Sequence, residues 1–308
     1  MSEARAVRFD TFGGPEVLYV TGIPMPSPGP GEVVVAVRAA GINPGESGIR
    51  SGALEFKYPT RLPCGEGSDL AGVVTAVGPG VTGFAPGDEV LGFSWTRSSH
   101  ATHTAVPVTQ LIPKPAALSW EVAGALYVVA CTAYAAVRAV GAREGETIAV
   151  SAAAGGVGTV TVQLLRHLGA RVLAIASPSN ADWLAARGAT PVPYGDGLAD
   201  RLRAAAPEGI DAFIDLFGPQ YVDLALELGV PKDRVNTVIA FEAAARLGVR
   251  AEGSEDASTA DVLTYMAGLV ADGTLEIPIA GTYALDDVAK AFEELDRRHT
   301  RGKIVLLP

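Results

Sequence analysis

Cysteine is scarce. The chain has two, Cys64 and Cys131, far apart in sequence. Two cannot build a disulfide framework or a four-cysteine zinc site. Positive charge is also short. Lys and Arg number 24 against 34 Asp and Glu, giving a net charge of −10 and a pI of about 4.9. That balance argues against nucleic acid and anionic membrane surfaces as partners. No apolar run approaches the ~20 residues of a membrane span, and Met1-Ser2-Glu3-Ala4-Arg5 has no apolar signal core. These absences point to a cytoplasmic protein with reduced thiols. What is present is ordinary globular composition, 48% hydrophobic and 19% charged, over 308 residues. That is enough chain for two domains.

The stretch with the clearest chemistry is Ser151-Ala152-Ala153-Ala154-Gly155-Gly156-Val157-Gly158. Before it lies Thr147-Ile148-Ala149-Val150, short, apolar and β-branched, which reads as a buried strand. After it, Thr159 to Leu168 reads as a helix closed by Gly169. A glycine turn between strand and helix lets a pyrophosphate approach the backbone and meet amides at the helix N-terminus. The spacing is Ala152-x-x-Gly155-x-x-Gly158, with Ala in the first glycine position. The next strand, Arg171 to Ala176, completes the context in which such a motif is informative. Dinucleotide domains that prefer NAD place an acid at the end of that second strand to hold the ribose 2′-hydroxyl. Here the place reads Ala176-Ser177-Pro178-Ser179-Asn180, with no carboxylate before Asp182. The missing acid favours NADPH, with Ser177, Ser179 and Asn180 as donors, since no Arg or Lys follows the strand directly.

Around this centre the chain changes character twice. Residues 4–115 read as β-rich: strands at Ala6–Phe9, Val17–Val20, Glu32–Ala40, Leu70–Val77 and Asp88–Phe93, divided by Gly and Pro turns. Close spacing of short strands suggests a small barrel or sandwich. Ser119 is a candidate N-cap for one apolar helix running to Val140 and placed between two domains. From Glu146 to about Asp272 strands (147–151, 171–176, 191–194, 210–216, 235–240) alternate with helices (156–168, 180–187, 197–206, 219–228), which implies a doubly wound parallel sheet. A helix at 286–295 and a strand at 302–307 close the chain.

Several of these stretches, taken together, resemble one family: Gly41-Ile42-Asn43-Pro44, Gly67 to Val74, Phe84 to Val90, Thr132-Ala133-Tyr134, Ala153 to Gly158, and Arg301-Gly302-Lys303-Ile304-Val305. The chain resembles the zinc-free quinone oxidoreductase branch of the medium-chain dehydrogenase/reductases. The resemblance implies an α/β fold: a GroES-like β-barrel catalytic domain, residues 1–122 completed by 273–308, with a doubly wound Rossmann domain inserted at 123–272. Zinc-dependent relatives carry Cys where this chain has Asn43, His-Glu where it has Ser68-Asp69, and a third ligand about where Val128 falls. Asn43, Ser68 and Val128 cannot supply the donors of a catalytic zinc. His100 and His103 near Cys64 match no common ligand spacing and read as a solvated loop pair. For the cofactor, the resemblance implies contacts from Ala154, Gly155, Gly156 and Val157, and from Thr132 and Asn43 near the nicotinamide ribose. It also implies contacts from Ile239 and Ala240 beside the ring, and from Tyr194 near the adenosine phosphate. Tyr194 equally fits an aromatic covering the sheet. A homodimer, joined through Val235–Ala240 and Phe241–Val249, is implied in the same way.

Hydride transfer needs C4 of the nicotinamide close to an electrophile and a group that stabilises the charge left on the acceptor. Without zinc, alcohol oxidation is disfavoured, and reduction of a quinone, enone or enal fits better. The substrate is expected in the cleft between the domains. Tyr127 and Asn43 are the catalytic candidates; the Tyr127 phenol either donates to the substrate oxygen or packs between the domains. Phe93 and Trp95 line the substrate site or belong to core and surface. Glu46 reads as a salt-bridge partner, and Cys131 as an inert buried thiol. Two rivals stand beside the quinone reading: an enoyl reductase specific for a biosynthetic intermediate, and a non-catalytic NADPH-binding sensor or structural protein.

Overall fold

Ten consecutive residues, Glu32–Gly41, with Val33, Val34, Val35, Val37, Ala39 and Ala40 all buried, form the strand on which the first unit is built. The computed structural model describes residues 3–308. It divides into two compact units. One is the chain up to Val128 together with Thr259–Ala271 and Ile277–Pro308; the other is Val129–Ser258 with Asp272–Glu276.

In chain order the first unit holds β1 (Glu3–Phe9), β2 (Tyr19–Pro24), β3 (Glu32–Gly41), α1 (Pro44–Arg50), β4 (Cys64–Gly65), β5 (Asp69–Val77), β6 (Glu89–Phe93), β7 (His103–Pro107), β8 (Leu111–Pro113) and α2 (Trp120–Gly124). Helix α3 (Leu126–Ala139) carries the chain into the second unit. There follow β9 (Thr147–Val150), α4 (Gly156–His167), β10 (Arg171–Ala176), α5 (Ala181–Ala186), β11 (Thr190–Pro193), α6 (Leu198–Ala205), β12 (Ala212–Asp215), α7 (Pro219–Glu227), β13 (Val235–Thr237) and α8 (Phe241–Leu247). The chain then returns with α9 (Ala260–Ala271), β14 (Ile279–Ala284), α10 (Val288–Asp296) and β15 (Lys303–Leu307).

The first unit has a seven-stranded sheet, β14-β15-β3-β5-β6-β8 with β7 also on β3, and a smaller β2-β1-β4 sheet. Alternation along the strands sends Val33, Val35, Leu70, Val74, Val90, Val106 and Leu111 into one core. Gly72 is required there: a Cβ would stand 2.2 Å from the Ala36 carbonyl oxygen. The returning segment supplies a second core, in which Leu285, Val288, Ala291, Phe292, Ile304 and Leu306 pack on Val7 and Ile42. β15 joins β3 antiparallel, Val305 opposite Gly41 and Leu306 opposite Ala40. That register carries Lys303 to the start of α1.

The second unit is a parallel sheet in the order β11-β10-β9-β12-β13. This is the doubly wound arrangement, with the direction of winding reversing at β9. The α/β fold class stands as expected. Local boundaries differ, each for a physical reason. Residues 15–17 form a 3-10 turn, opened by Pro15, and the strand expected at Val17–Val20 starts only at Tyr19. Ser119 does cap a helix, its hydroxyl accepting from the Val122 amide at 3.3 Å. The apolar run behind it breaks at Ala125, because Gly124 is pressed against the Ala39 carbonyl and the chain must turn there. The strand expected at 235–240 stops at Thr237, whose hydroxyl accepts from the amides of Ile239 and Ala240 and turns the chain toward α8. Arg250 fills the outer side of β13: Thr237 N donates to Arg250 O and Arg250 N to Val235 O, both at 3.0 Å.

Phe292 is fully buried, with the Arg50 guanidinium 4.3 Å from its ring centroid. Phe292→Ala is expected to cost about 3–5 kcal/mol of stability, read from urea denaturation at unchanged m-value.

Candidate functional site

In the second unit, the turn after β9 is built by close contact. Ala152 adopts a left-handed φ of 46°. The Gly155 amide donates to Ala152 O at 2.9 Å, and the Ala153 amide donates to Ile175 O at 3.0 Å, tying the turn to β10. A Cβ on Gly158 would lie 2.2 Å from Ala152 O, so only glycine lets α4 approach the turn. Gly155 caps α4 without any side-chain hydrogen bond. The amides of Gly156 and Val157 therefore open α4 with no side chain across them, as an anion requires.

Beside this turn, β10 ends at Ala176, and the next residues fold into a 3-10 turn. Ser177 Oγ lies 2.7 Å from Ser179 Oγ and accepts from Asn180 Nδ2 at 3.0 Å. Parallel pairing sets Ala176 opposite Pro193, and the Tyr194 amide donates to Ala176 O. Ser177, Asn180 and Tyr194 thus share one corner at the carboxyl ends of β10 and β11. Tyr194 lies one residue beyond its strand and is half exposed. Thr132 stands buried on α3, next to the buried Cys131.

Sequence reasoning missed Asp215, the last residue of β12 and fully buried. Its Oδ1 accepts from Ser151 Oγ (2.8 Å) and from the amides of Phe217 (2.9 Å) and Gly218 (3.1 Å). Its Oδ2 accepts from Thr237 Oγ1 at 2.7 Å. Burial pushes this carboxyl above the usual range, and the four donors offset part of that.

In the first unit a residue the sequence did not single out, Asp69, bonds the candidate Asn43 and the backbone amide of Val128, next in the chain to the candidate Tyr127. Asp69 Oδ2 accepts from Asn43 Nδ2 at 3.1 Å and from Lys303 Nζ at 2.9 Å; Oδ1 accepts from the Val128 amide at 2.7 Å. Lys303 Nζ also donates to Asn43 Oδ1 (2.5 Å) and Ile42 O (2.9 Å), which uses all three of its protons. This arrangement fixes the Asn43 amide: turned over, its NH2 would face an ammonium. Asn43 Nδ2 spends its two protons on Asp69 and, at 3.4 Å, on Glu46. What Asn43 has left is one lone pair on Oδ1.

Glu46 corrects an expectation. It does face His100 Nε2, 3.9 Å away, but its closest bonds are accepted from backbone amides, Asn43 and Ser68, both at 2.9 Å. The first of these is half of a capping box for α1. Burial, and then the charge of Asp69, pushes its carboxyl up to about 7. His100 is a second correction. It is buried rather than solvated, with Nε2 3.3 Å from Gly41 O, and burial brings its pKa down to about 4. His103 stands apart, its Nδ1 beside Thr102 Oγ1 at 3.2 Å. Next to His100, Glu66 bonds the buried Arg50 at 2.5 Å, and burial pushes its carboxyl up to about 8. A chain of buried polar groups therefore backs α1. The signal for it was the presence of charge inside otherwise apolar strands, as at Lys303 and Asp69.

Tyr127 is buried at 2% exposure. Its ring stacks on Phe93, centroids 4.2 Å apart and planes at 16°, and Trp95 meets both rings edge-on. Trp95 itself is half exposed.

Two family models match the chain: the alcohol dehydrogenase GroES-like domain over residues 29–139 and the zinc-binding dehydrogenase family over 187–306. The chain is 30% identical to the quinone oxidoreductase of Rattus norvegicus, covering 98% of this chain and 97% of that protein. A 209-residue stretch, 66% of the chain, is 39% identical to 5% of the mycoketide-CoA synthase of Mycobacterium tuberculosis. Among solved structures, the quinone oxidoreductase of Escherichia coli complexed with NADPH superposes with a TM-score of 0.89, at 26% identity over 99% of this chain and 100% of that one. The chain belongs to the quinone oxidoreductase branch of the medium-chain dehydrogenase/reductases. It is an enzyme, an oxidoreductase of the NAD(P)H-dependent kind.

The matched zinc-binding name does not extend to the donors in this chain. At the positions where the resemblance puts zinc ligands stand an amide saturated on its nitrogen, Ser68 and Val128, with the Lys303 ammonium among them. The donor set does not suit zinc. Among the described residues no group of three His, Cys, Asp or Glu is placed to hold a metal. Likewise no helix of the described residues is long and apolar enough to cross a membrane.

The raised carboxyls make a pH prediction. A carboxyl whose folded pKa lies above its ordinary 4.5 stabilises the fold below that value and loses the contribution as pH rises through the folded pKa. For Glu66 the loss builds from about pH 4.5 and is complete near pH 8. Glu66→Gln keeps an oxygen for Arg50 and removes the ionisation. Melting temperature is expected to fall from about pH 5 to about pH 8 in the parent and distinctly less in the variant, as read by calorimetry.

Proposed function

We propose that the protein is an NADPH-dependent, zinc-independent reductase that passes hydride to a quinone or another activated carbonyl or alkene. The observation that carries this reading is the corner after β10. Where an NAD-preferring domain would set a carboxylate against the ribose, Ser177 and Asn180 present hydroxyl and amide groups. A 2′-phosphate meets donors there instead of a like charge. The likeness to an enzyme solved with NADPH supports the same choice.

In this reading the first unit is the catalytic domain and the second holds the cofactor. The amides of Gly156 and Val157 receive the pyrophosphate, with Ala154 and Gly155 closing the turn. Ser177, Asn180 and Tyr194 hold the adenosine phosphate. Thr132, Ile239 and Ala240 position the nicotinamide end, and the free lone pair of Asn43 Oδ1 accepts from a ribose hydroxyl. The cofactor, when bound, supplies the hydride. Lys303 does not polarise the acceptor, because its three protons are spent. The acceptor must then be electron-poor on its own, which describes a quinone or an enone better than an alcohol. Tyr127 serves as the stacked base beneath Phe93 and Trp95, and its hydroxyl is the remaining candidate for donating to the acceptor oxygen.

The similarity to a stretch of mycoketide-CoA synthase favours a second reading, reduction of an alkene in a biosynthetic acyl intermediate. Acceptor profiling separates the two. NADPH oxidation, with NADH as control, is followed against simple quinones and simple enones. Quinone turnover with NADPH preferred by about tenfold or more is expected, one 2′-phosphate contact being worth roughly 1.4 kcal/mol or above. Enone-only turnover moves the function to alkene reduction, NADH preference overturns the cofactor choice, and NADPH binding without turnover of any acceptor supports a sensor. Within the same assay, the stacked geometry predicts that Tyr127→Phe changes kcat by less than about threefold; a loss of about a hundredfold makes the hydroxyl the proton donor.

A further inference from the structure

Asp215 holds a carboxylate at zero exposure, at the carboxyl end of β12, with no ion-pair partner among the described residues. What surrounds it is a set of donors with a direction. Ser151, just past β9, gives its proton to Asp215 Oδ1, so its oxygen is left to accept, and it accepts the Leu216 amide at 2.8 Å. Thr237, ending β13, gives its proton to Oδ2, and its oxygen accepts the amides of Ile239 (3.3 Å) and Ala240 (3.0 Å). Oδ1 also takes the amides of Phe217 and Gly218 directly. One carboxylate therefore orients two hydroxyls, and with them fixes the loops at 216–218 and 238–240. The two loops leave neighbouring strands, since β12 lies between β9 and β13.

We propose that Asp215 is a positioning residue for hydride transfer, acting through Thr237 to hold the Ile239–Ala240 loop against the nicotinamide ring. The proposal rests on the reading above, in which that loop stands beside the ring.

The accounting of protons makes the role specific. A protonated or amide side chain at 215 brings a donor into a place where every neighbour donates. In Asp215→Asn the NH2 settles on the Thr237 side, where one donor is met rather than three. Thr237 must then accept from it, and the amide of Ile239 or Ala240 loses its acceptor. The remaining oxygen keeps its three bonds, from Ser151 Oγ and from the amides of Phe217 and Gly218. The defect is confined to 238–240, far along the chain from the pyrophosphate turn. Thr237→Val removes the same acceptor from the other end.

The test uses the full chain, 1,4-benzoquinone as acceptor, and two further readouts. Asp215→Asn and Thr237→Val are each expected to lower kcat by about tenfold or more while the dissociation constant for NADPH, from its fluorescence, changes by less than about threefold, because the phosphates bind elsewhere. Amide exchange is expected to quicken at 238–240 and to stay unchanged at 216–218 in the Asn variant. The double variant is expected to match the worse single, since both break one path. Multiplicative losses in the double variant, or an unchanged kcat with only a lower melting temperature, overturn the proposal. If the parent turns over no acceptor, the functional reading fails, and the loop-specific exchange pattern still decides whether Asp215 sets the 238–240 loop.

Discussion

The first unit depends on burying one ammonium. Lys303 and Asp69 lie 2.9 Å apart, at 3% and zero side-chain exposure. Taking both charges out of water costs several kcal/mol each, and the pair offsets this only when the remaining protons and lone pairs are used. Here they are: three acceptors for the ammonium, three donors for the carboxylate. Removing one partner leaves the other stranded, an effect of about 3–5 kcal/mol. The consequence is geometric as well as energetic. The pair ties the last strand, the start of α1, the start of β5 and the start of α3 to one point, so the loop carrying Asn43 cannot shift unless all four do.

The second unit solves the same problem without a cation. Asp215 is satisfied by two hydroxyls and two amides, and each hydroxyl passes its acceptor capacity on to loop amides. Fixed dipoles replace the counter-ion. The two arrangements do different work. An ion pair saturated on both sides immobilises a single side chain, that of Asn43. A carboxylate that polarises hydroxyls orders backbone over two loops. Both are positioned by sheet register: β15 against β3 delivers Lys303, and parallel β9, β12 and β13 bring Ser151, Asp215 and Thr237 level.

Local pattern carried the alternation of strands and helices around Gly155–Gly158, because a glycine turn between a strand and a helix is a contiguous signal. It carried the missing acid after Ala176 for the same reason. It did not carry the break at Ala125, which arises where Gly124 meets a distant strand, nor the early end of β13, which Thr237 imposes through Asp215. Glu46 carries a contiguous capping signal, three residues after Asn43 and just past Pro44, but its second bond, from Ser68, comes from across the fold and has no local trace. His100 looked like a loop histidine because polar spacing says nothing of burial. Asp69 and Lys303 lie over two hundred positions apart in sequence, and only the antiparallel return of β15 brings them together. Pairings of this kind are set by topology and have no sequence period.

The same pair bears on chemistry. A metal in this fold would offer an acceptor oxygen an open coordination position. An ammonium with three protons already bonded offers nothing, though it carries positive charge at that point. Its field still acts: it favours the ionised form of Glu46, while Asp69 disfavours it and burial disfavours it more. The charge is thus spent on holding Asn43 and on balancing two carboxylates. On the proposed function, an acceptor reduced beside such a group must bring its own electron deficiency, and the stabilisation of the oxygen it develops falls to neutral donors. This places the demand for reactivity on the substrate and the demand for geometry on the protein, and the geometry is what Lys303 and Asp215 supply.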